Sequence, residues 1–260
     1  MQLFNECFNK VKKDYLKFLD KEKIIIKSKV DKIKSLKNFY IPMSFWIENK
    51  YKKKGETLFI GFSGGQGSGK TTIAEILKII LKGFFKRNVH VSSIDDFYKT
   101  LQERKKMART IHPLFKTRGV PGTHDINLIK KFFFFIKKKS FRKVKLPKFD
   151  KSIDNRLNQK YWFNIKKKPE IIILEGWCVG AKPQLDFLIK KPKNSLERYE
   201  DKKLIWRKYV NEKLKKAGVY SVENIDKDTF KDSNNFFSYR RAQKLAQGDY
   251  GRCISVIYLI

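Results

Sequence analysis

Cysteine is scarce in this sequence. Three residues, Cys7, Cys178 and Cys253, lie far apart in 260 positions. They are too few and too scattered for a disulfide framework or a zinc site, so the chain reads as reduced and intracellular. Long apolar runs are missing as well. The two longest, 132–136 and 253–260, fall far short of the roughly 20 residues a membrane span requires. Glu6 and Asp14 interrupt the apolar residues near the start, so no secretory h-region can be read there. These absences lead to the expectation of a cytoplasmic protein without a membrane partner. Acid is also in short supply: 26 Asp and Glu face 60 Lys and Arg, for a net charge of +34. Such a balance ordinarily points to a polyanion. Arginine, however, supplies only 11 of the 60 cations, and guanidinium is the group suited to bidentate phosphate and base recognition. The excess is spread along the chain, with 15 basic and 6 acidic residues in 1–55. It therefore reads as a lysine-rich background. Residues 130–168, with 15 basic and 2 acidic groups, are the best place for a real patch. What the chain does have is 41% hydrophobic and 14% aromatic residues, enough to build one large core or two small ones.

The first 55 residues read as a helical, Lys-rich extension, with Tyr15, Leu16, Phe18, Leu19 and then Ile24 to Ile26 set among charges. Pro42 is expected to fix a turn that lets Phe45, Trp46 and Ile47 pack onto something larger. From Thr57 onward the pattern changes. Leu58-Phe59-Ile60-Gly61-Phe62 has strand length and runs into a glycine-rich turn. Ile73, Ile76, Leu77, Ile80 and Leu81 then recur on one face of a helix. Further strands are expected at 89–94 and 171–174, and the continuous apolar run of the latter suits a parallel strand covered on both faces. A helix is expected over 125–137, then a basic, loop-rich stretch to Pro169. A last helix is expected over 196–217, with Trp206, Tyr209, Val210 and Leu214 on one face. This alternation is that of a βαβ arrangement.

Gly64-Gly65-Gln66-Gly67-Ser68-Gly69-Lys70-Thr71, followed by Thr72, fulfils G-x-x-x-x-G-K-[ST] completely. Such glycines let successive N–H groups turn inward and cradle phosphate oxygens at the positive end of the next helix. Lys70 is placed to reach the β and γ phosphates of ATP, and Thr71 to ligate Mg²⁺. Glu175 ends the apolar strand, where a carboxylate would stand beside that metal. In Ser93-Ile94-Asp95-Asp96-Phe97-Tyr98 the acids follow a strand end, where ligands bind in open parallel sheets. Asp95 is the choice for a base that takes a proton from an acceptor hydroxyl; Asp96 serves equally as a helix N-cap or in catalysis. Two polar clusters remain, Arg118-Gly119-Val120-Pro121-Gly122-Thr123-His124-Asp125 and 146–156 around Pro147, Asp150, Lys151, Asp154 and Arg156. In the first, Thr123 or Asp125 can cap a helix. Each cluster reads either as an ordinary surface loop or as the cation and acceptors that a small anionic hydroxy acid needs.

Taken together, these motifs and Glu175-Gly176-Trp177-Cys178-Val179-Gly180 resemble the P-loop D-glycerate 3-kinases, members of the phosphoribulokinase, uridine kinase and pantothenate kinase group. The resemblance covers about residues 38–217. It implies an α/β fold of the P-loop nucleoside triphosphate hydrolase type, a parallel sheet flanked by helices, with a kinase domain over 56–260. By this resemblance Asp95 matches the catalytic base and Glu175 the Mg²⁺-associated acid, while His124, Asp125, Asp150, Lys151 and Arg156, with Asp96 and Tyr98, fall on the acceptor side. After Ala217 the sequence departs from the family: 219–238 is polar, and Tyr239-Arg240-Arg241-Ala242-Gln243-Lys244 matches the lid helix only loosely, so the C-terminal part is divergent or truncated. The expected activity is ATP-dependent transfer to a glycerate-like hydroxy acid. Uridine- or pantothenate-type kinases, a nucleotide-dependent nucleic-acid-binding protein and a catalytically idle P-loop protein are the alternatives.

Overall fold

The computed structural model describes residues 2–23, 29–217 and 254–258, with side chains except at Lys29 and 254–258. Ile24 to Ile26, the polar stretch 219–238, the candidate lid residues Arg240 and Arg241, and Cys253 lie outside the described residues. In chain order the elements are α1 (Gln2–Lys21), α2 (Lys29–Ser35), α3 (Ile41–Lys54), β1 (Leu58–Gly64), α4 (Lys70–Gly83), β2 (Val89–Ser93), α5 (Leu101–Thr110) and α6 (Ile126–Lys137). They continue with β3 (Val144–Leu146), β4 (Phe149–Asp150), β5 (Asn155–Arg156), β6 (Phe163–Ile165), β7 (Ile171–Gly176), α7 (Asp186–Lys190), α8 (Ser195–Tyr199), α9 (Ile205–Ala217) and β8 (Ile254–Tyr258). The chain divides into two compact units, residues 1–92 with 168–177 and 249–260, and residues 93–167 with 178–248.

The first unit holds a four-stranded sheet in the order β2-β7-β1-β8. β1 and β7 pair in parallel from Leu58 opposite Ile171 to Ser63 opposite Gly176, and β8 closes the other side of β1 antiparallel. The apolar run Ile171 to Ile173 is fully buried, as a strand covered on both faces requires. Helix α4 has two apolar faces. Ala74, Leu77 and Leu81 pack with Leu58, Ile60, Phe62 and Ile173, while Ile76 and Ile80 join Cys7, Val11, Tyr15 and Leu19 of α1. The i, i+4 spacing of that α1 stripe gives the N-terminal helices a second core on α4, where each large side chain contributes roughly 1.5–3 kcal/mol. Pro42 opens α3 rather than a turn. Its missing N–H costs nothing in a first helical turn, which accounts for the difference. Arg87 binds Glu48 (2.6 Å) and Glu170 (2.9 Å), joining α3 to the lead-in of β7.

In the second unit the basic stretch before Pro169 is more ordered than its composition suggests. β3 pairs with β6 and β4 with β5, both antiparallel. The single helix expected over 196–217 is two, α8 and α9, broken where Leu204 takes a left-handed φ of 61°. Asp201, buried in the break, accepts from the Trp206 and Arg207 N–H groups and from Arg207 Nε (2.9 Å). The buried residues of α9 are accordingly Arg207 and Asn211, with Trp206, Tyr209, Val210 and Leu214 half-buried. Trp206 and Tyr209 of the expected apolar face pack on the buried Phe115, and the paired Arg207 is buried beside them.

Candidate active site

The glycine-rich turn lies between the end of β1 and the start of α4. Gly67 and Gly69 have φ of 74° and 81°, left-handed values that a side chain would resist. No side chain caps α4 at Gly69, so its first N–H groups and the positive end of its dipole stay available to an anion. Among the described residues the buried Ser68 hydroxyl has no hydrogen-bond partner, which suits a group that donates to a phosphate oxygen. Lys70 Nζ donates to the Gly65 carbonyl at 2.8 Å, folded back over its own loop. Gly64, Gly65, Gln66 and Thr72 complete the segment. Thr71 Oγ1 donates to Glu175 Oε1 at 3.2 Å, bringing together the two oxygens expected at a metal. One hydroxyl and one carboxylate suit Mg²⁺, which keeps several waters and uses substrate phosphates for the rest of its shell.

Within the second unit, three separate segments converge. Lys99 N–H donates to the Thr123 carbonyl and Asp125 N–H to the Phe97 carbonyl, both at 2.8 Å, stitching 97–99 to 123–125. Tyr98 and His124 stack with centroids 4.3 Å apart. Asp96 Oδ1 accepts the Phe149 N–H at 3.1 Å, which joins the third segment. The cap of this turn is Ser93, whose hydroxyl accepts the Asp95 N–H, so Asp96 is not the N-cap. Asp95 Oδ2 lies 2.8 Å from Lys151 Nζ. Asp125 caps α6 through the Leu128 N–H and pairs with Arg156 at 3.1 Å, and Arg156 also reaches Glu103 at 3.5 Å. Thr123, the other candidate cap, donates to the Val120 carbonyl instead. Asp150 accepts from the Ser152 hydroxyl and N–H, which lowers its pKa.

Burial holds His124 neutral, with a pKa lowered to about 4 despite the nearby Asp95, and its Nε2 has no partner. Burial, then Asp95, push the Cys178 thiol up to about 12, so it is no nucleophile.

The sequence reading missed Arg104. Fully buried, it donates to the carbonyls of Lys99 (3.3 Å), Lys116 (2.8 Å) and Asp154 (2.6 Å). Asp154 takes a second arginine, Arg118. Burial raises the Asp154 pKa, but bonds from Arg104 and Arg118 outweigh it and the net shift is downward. Arg104 thus holds the hairpin that carries Asp150, Lys151 and Arg156. An arginine within a polar helix gives no sequence signal of this.

A strand that pairs in parallel with β7 and runs through the glycine-rich loop into a helix defines a P-loop nucleotide-binding protein. A probable ATP-dependent kinase of Saccharomyces cerevisiae, TDA10, is 32% identical over 225 residues, 79% of this chain and 71% of the yeast protein. The chloroplastic D-glycerate 3-kinase of Arabidopsis thaliana is 30% identical over 200 residues, 68% of this chain. Among solved structures, the YGR205w protein aligns with TM-score 0.51 at 31% identity, covering 73% of this chain and 66% of that one. A D-glycerate 3-kinase from Cryptococcus neoformans shares the fold, with TM-score 0.56 at 20% identity, covering 68% and 67% of the two chains. The chain belongs to the family of P-loop, ATP-dependent kinases that includes TDA10. It spans 43% of the Arabidopsis protein and 62% of an uncharacterized Schizosaccharomyces pombe kinase, mug58.

A family model described as multi-copper polyphenol oxidoreductase laccase matches residues 177–260. That segment contains no histidine, and among the described residues no group of three or more His, Cys, Asp or Glu could hold a metal. Copper chemistry, which draws on imidazole and thiolate, does not fit these residues.

Proposed function

We propose that the protein is an ATP-dependent kinase that transfers the γ-phosphoryl group to a hydroxyl of a small hydroxy acid, D-glycerate giving 3-phosphoglycerate. The observation that carries this reading is the pairing of Asp95 with Lys151 at 2.8 Å. A base for the hydroxyl and a cation for the carboxylate are the two groups a hydroxy acid requires. An entering carboxylate takes over Lys151 and Arg156, leaving Asp95 to accept the proton as the hydroxyl oxygen attacks phosphorus and ADP departs. Lys70, the glycine-loop N–H groups and Ser68 hold the phosphates. Thr71 and Glu175 are the residues that would hold Mg²⁺, which would supply neutralisation of phosphate charge. Asp96 and Tyr98 position the segment that bears Asp95, and neutral His124 offers a hydrogen bond to the acceptor. Residues 1–55 act as a packing extension to the kinase domain at 56–260, and the enzyme works in the cytoplasm. Catalysis is then positioning and electrostatics rather than covalent chemistry.

ADP release measured with glycerate, uridine, pantothenate and ribulose 5-phosphate tests the acceptor. Glycerate-dependent turnover is expected; turnover with another acceptor alone sinks the assignment.

A further inference from the structure

The basic stretch that precedes Asp150 plays no part in the reading above. Residues 126–149 hold nine Lys and Arg and no Asp or Glu. Helix α6, about 18 Å long, buries Phe132 and Ile136 and exposes Lys130, Lys131, Phe134 and Phe135, with the exposed Lys138 just past its end. The four helical positions recur at i, i+1, i+4 and i+5, so they share one face. Phe134 and Phe135 are 60% and 44% exposed, their rings 5.8 Å apart. Lys138 Nζ sits 4.7 Å and 5.5 Å above the two rings. Beside them opens a cavity of about 540 Å³, walled by Phe132 and Val144 and lined by Lys131, Lys138, Arg142 and Lys143, with no acidic residue.

We infer that this face of α6 docks the protein onto an anionic phospholipid surface, the two phenylalanines entering the headgroup boundary and the lysines meeting lipid phosphates and carboxylates. Charge complementarity and the paired apolar tip argue for this occupant together. A basic amphipathic helix with aromatic residues lies in the interface plane, and juxtaposed lysines add attraction to anionic lipid. Eight of the nine cations are lysine, point charges that suit a lipid surface better than base readout. No described helix is long and apolar enough to cross a membrane, so the contact is peripheral.

The test is sedimentation of the full chain with phosphatidylcholine vesicles, with and without phosphatidylserine. Binding is expected only with phosphatidylserine and falls as salt rises. Phe134→Ser with Phe135→Ser leaves the charge unchanged and is expected to weaken binding ~10-fold. Lys131→Glu with Lys138→Glu is expected to weaken it at least ~10-fold. The same charge change on exposed α1 positions, Lys10→Glu with Lys13→Glu, is expected to cost under ~3-fold. Circular dichroism confirms that each variant stays folded. An equal loss from the α1 pair, no loss from the phenylalanine pair, no phosphatidylserine dependence, or tighter binding to single-stranded RNA than to vesicles overturns the inference. None of these outcomes depends on the kinase assay.

Discussion

The nucleotide loop and the acceptor-side cluster are built in opposite ways. The loop is one contiguous run, 64–72, with two glycines in left-handed conformations, an unpartnered serine hydroxyl and an uncapped helix end. Its polar groups are largely unspent, held open by backbone geometry alone. The cluster around Asp95 is gathered from 95–98, 123–125 and 149–156, and nearly every charge there already has a partner: Asp95 with Lys151, Asp125 with Arg156, Asp154 with Arg104 and Arg118. On the function proposed above, an acceptor entering the second cluster would replace one of these partners.

That contrast can be broken from either side. The largest effect is expected at the loop: Lys70→Ala should reduce phosphoryl transfer by at least ~10³-fold, yet barely move the melting temperature, since its one bond is to the Gly65 carbonyl. A large loss of stability would show that the loop is not the independent cradle described.

Arg104→Met should do the reverse, costing about 3–5 kcal/mol of stability in urea unfolding because a buried charge network is opened. A cost under about 1 kcal/mol would mean that the hairpin stands without it.

Acid comes next. The His124 pKa is about 4 in the fold against an ordinary 6.5, so the unfolded chain takes up the proton first. Its contribution is intact above pH 6.5 and is lost as pH falls toward 4, by about 1.4 kcal/mol per pH unit. Urea midpoints across that range should fall less steeply in His124→Phe; an unchanged slope would deny that the imidazole is buried neutral.

The smallest effect belongs to Lys151→Met. It should raise the acceptor KM ~10-fold and leave the ATP KM alone, whereas an equal rise in both would separate Lys151 from the acceptor.

Legibility followed the same division. The loop, β1, β7 and the stripe of α4 could be read from the sequence because contiguous glycines and a 3.6-residue apolar period are local signals. Asp95 and Lys151 were read one at a time, but their pairing was not, because it depends on a hairpin and on Arg104 several segments away. On α9 the apolar positions Trp206 and Tyr209 do pack, on Phe115, but the break before the helix and the burial of Arg207 are not legible, because nothing local announces that Asp201 turns back to satisfy Arg207. Pro42 is ambiguous in the sequence because proline stops helices and equally starts them.

The central claim is that Asp95 takes the proton of a hydroxy acid while ATP donates its phosphoryl group. Phosphorus NMR of the protein with ATP, Mg²⁺ and D-glycerate reads this directly. A 3-phosphoglycerate resonance is expected to grow with ADP and to be slowed at least ~100-fold in Asp95→Asn. A phosphoglycerate signal that grows as fast in Asp95→Asn as in the unaltered protein, or no phosphoglycerate from either, would contradict it.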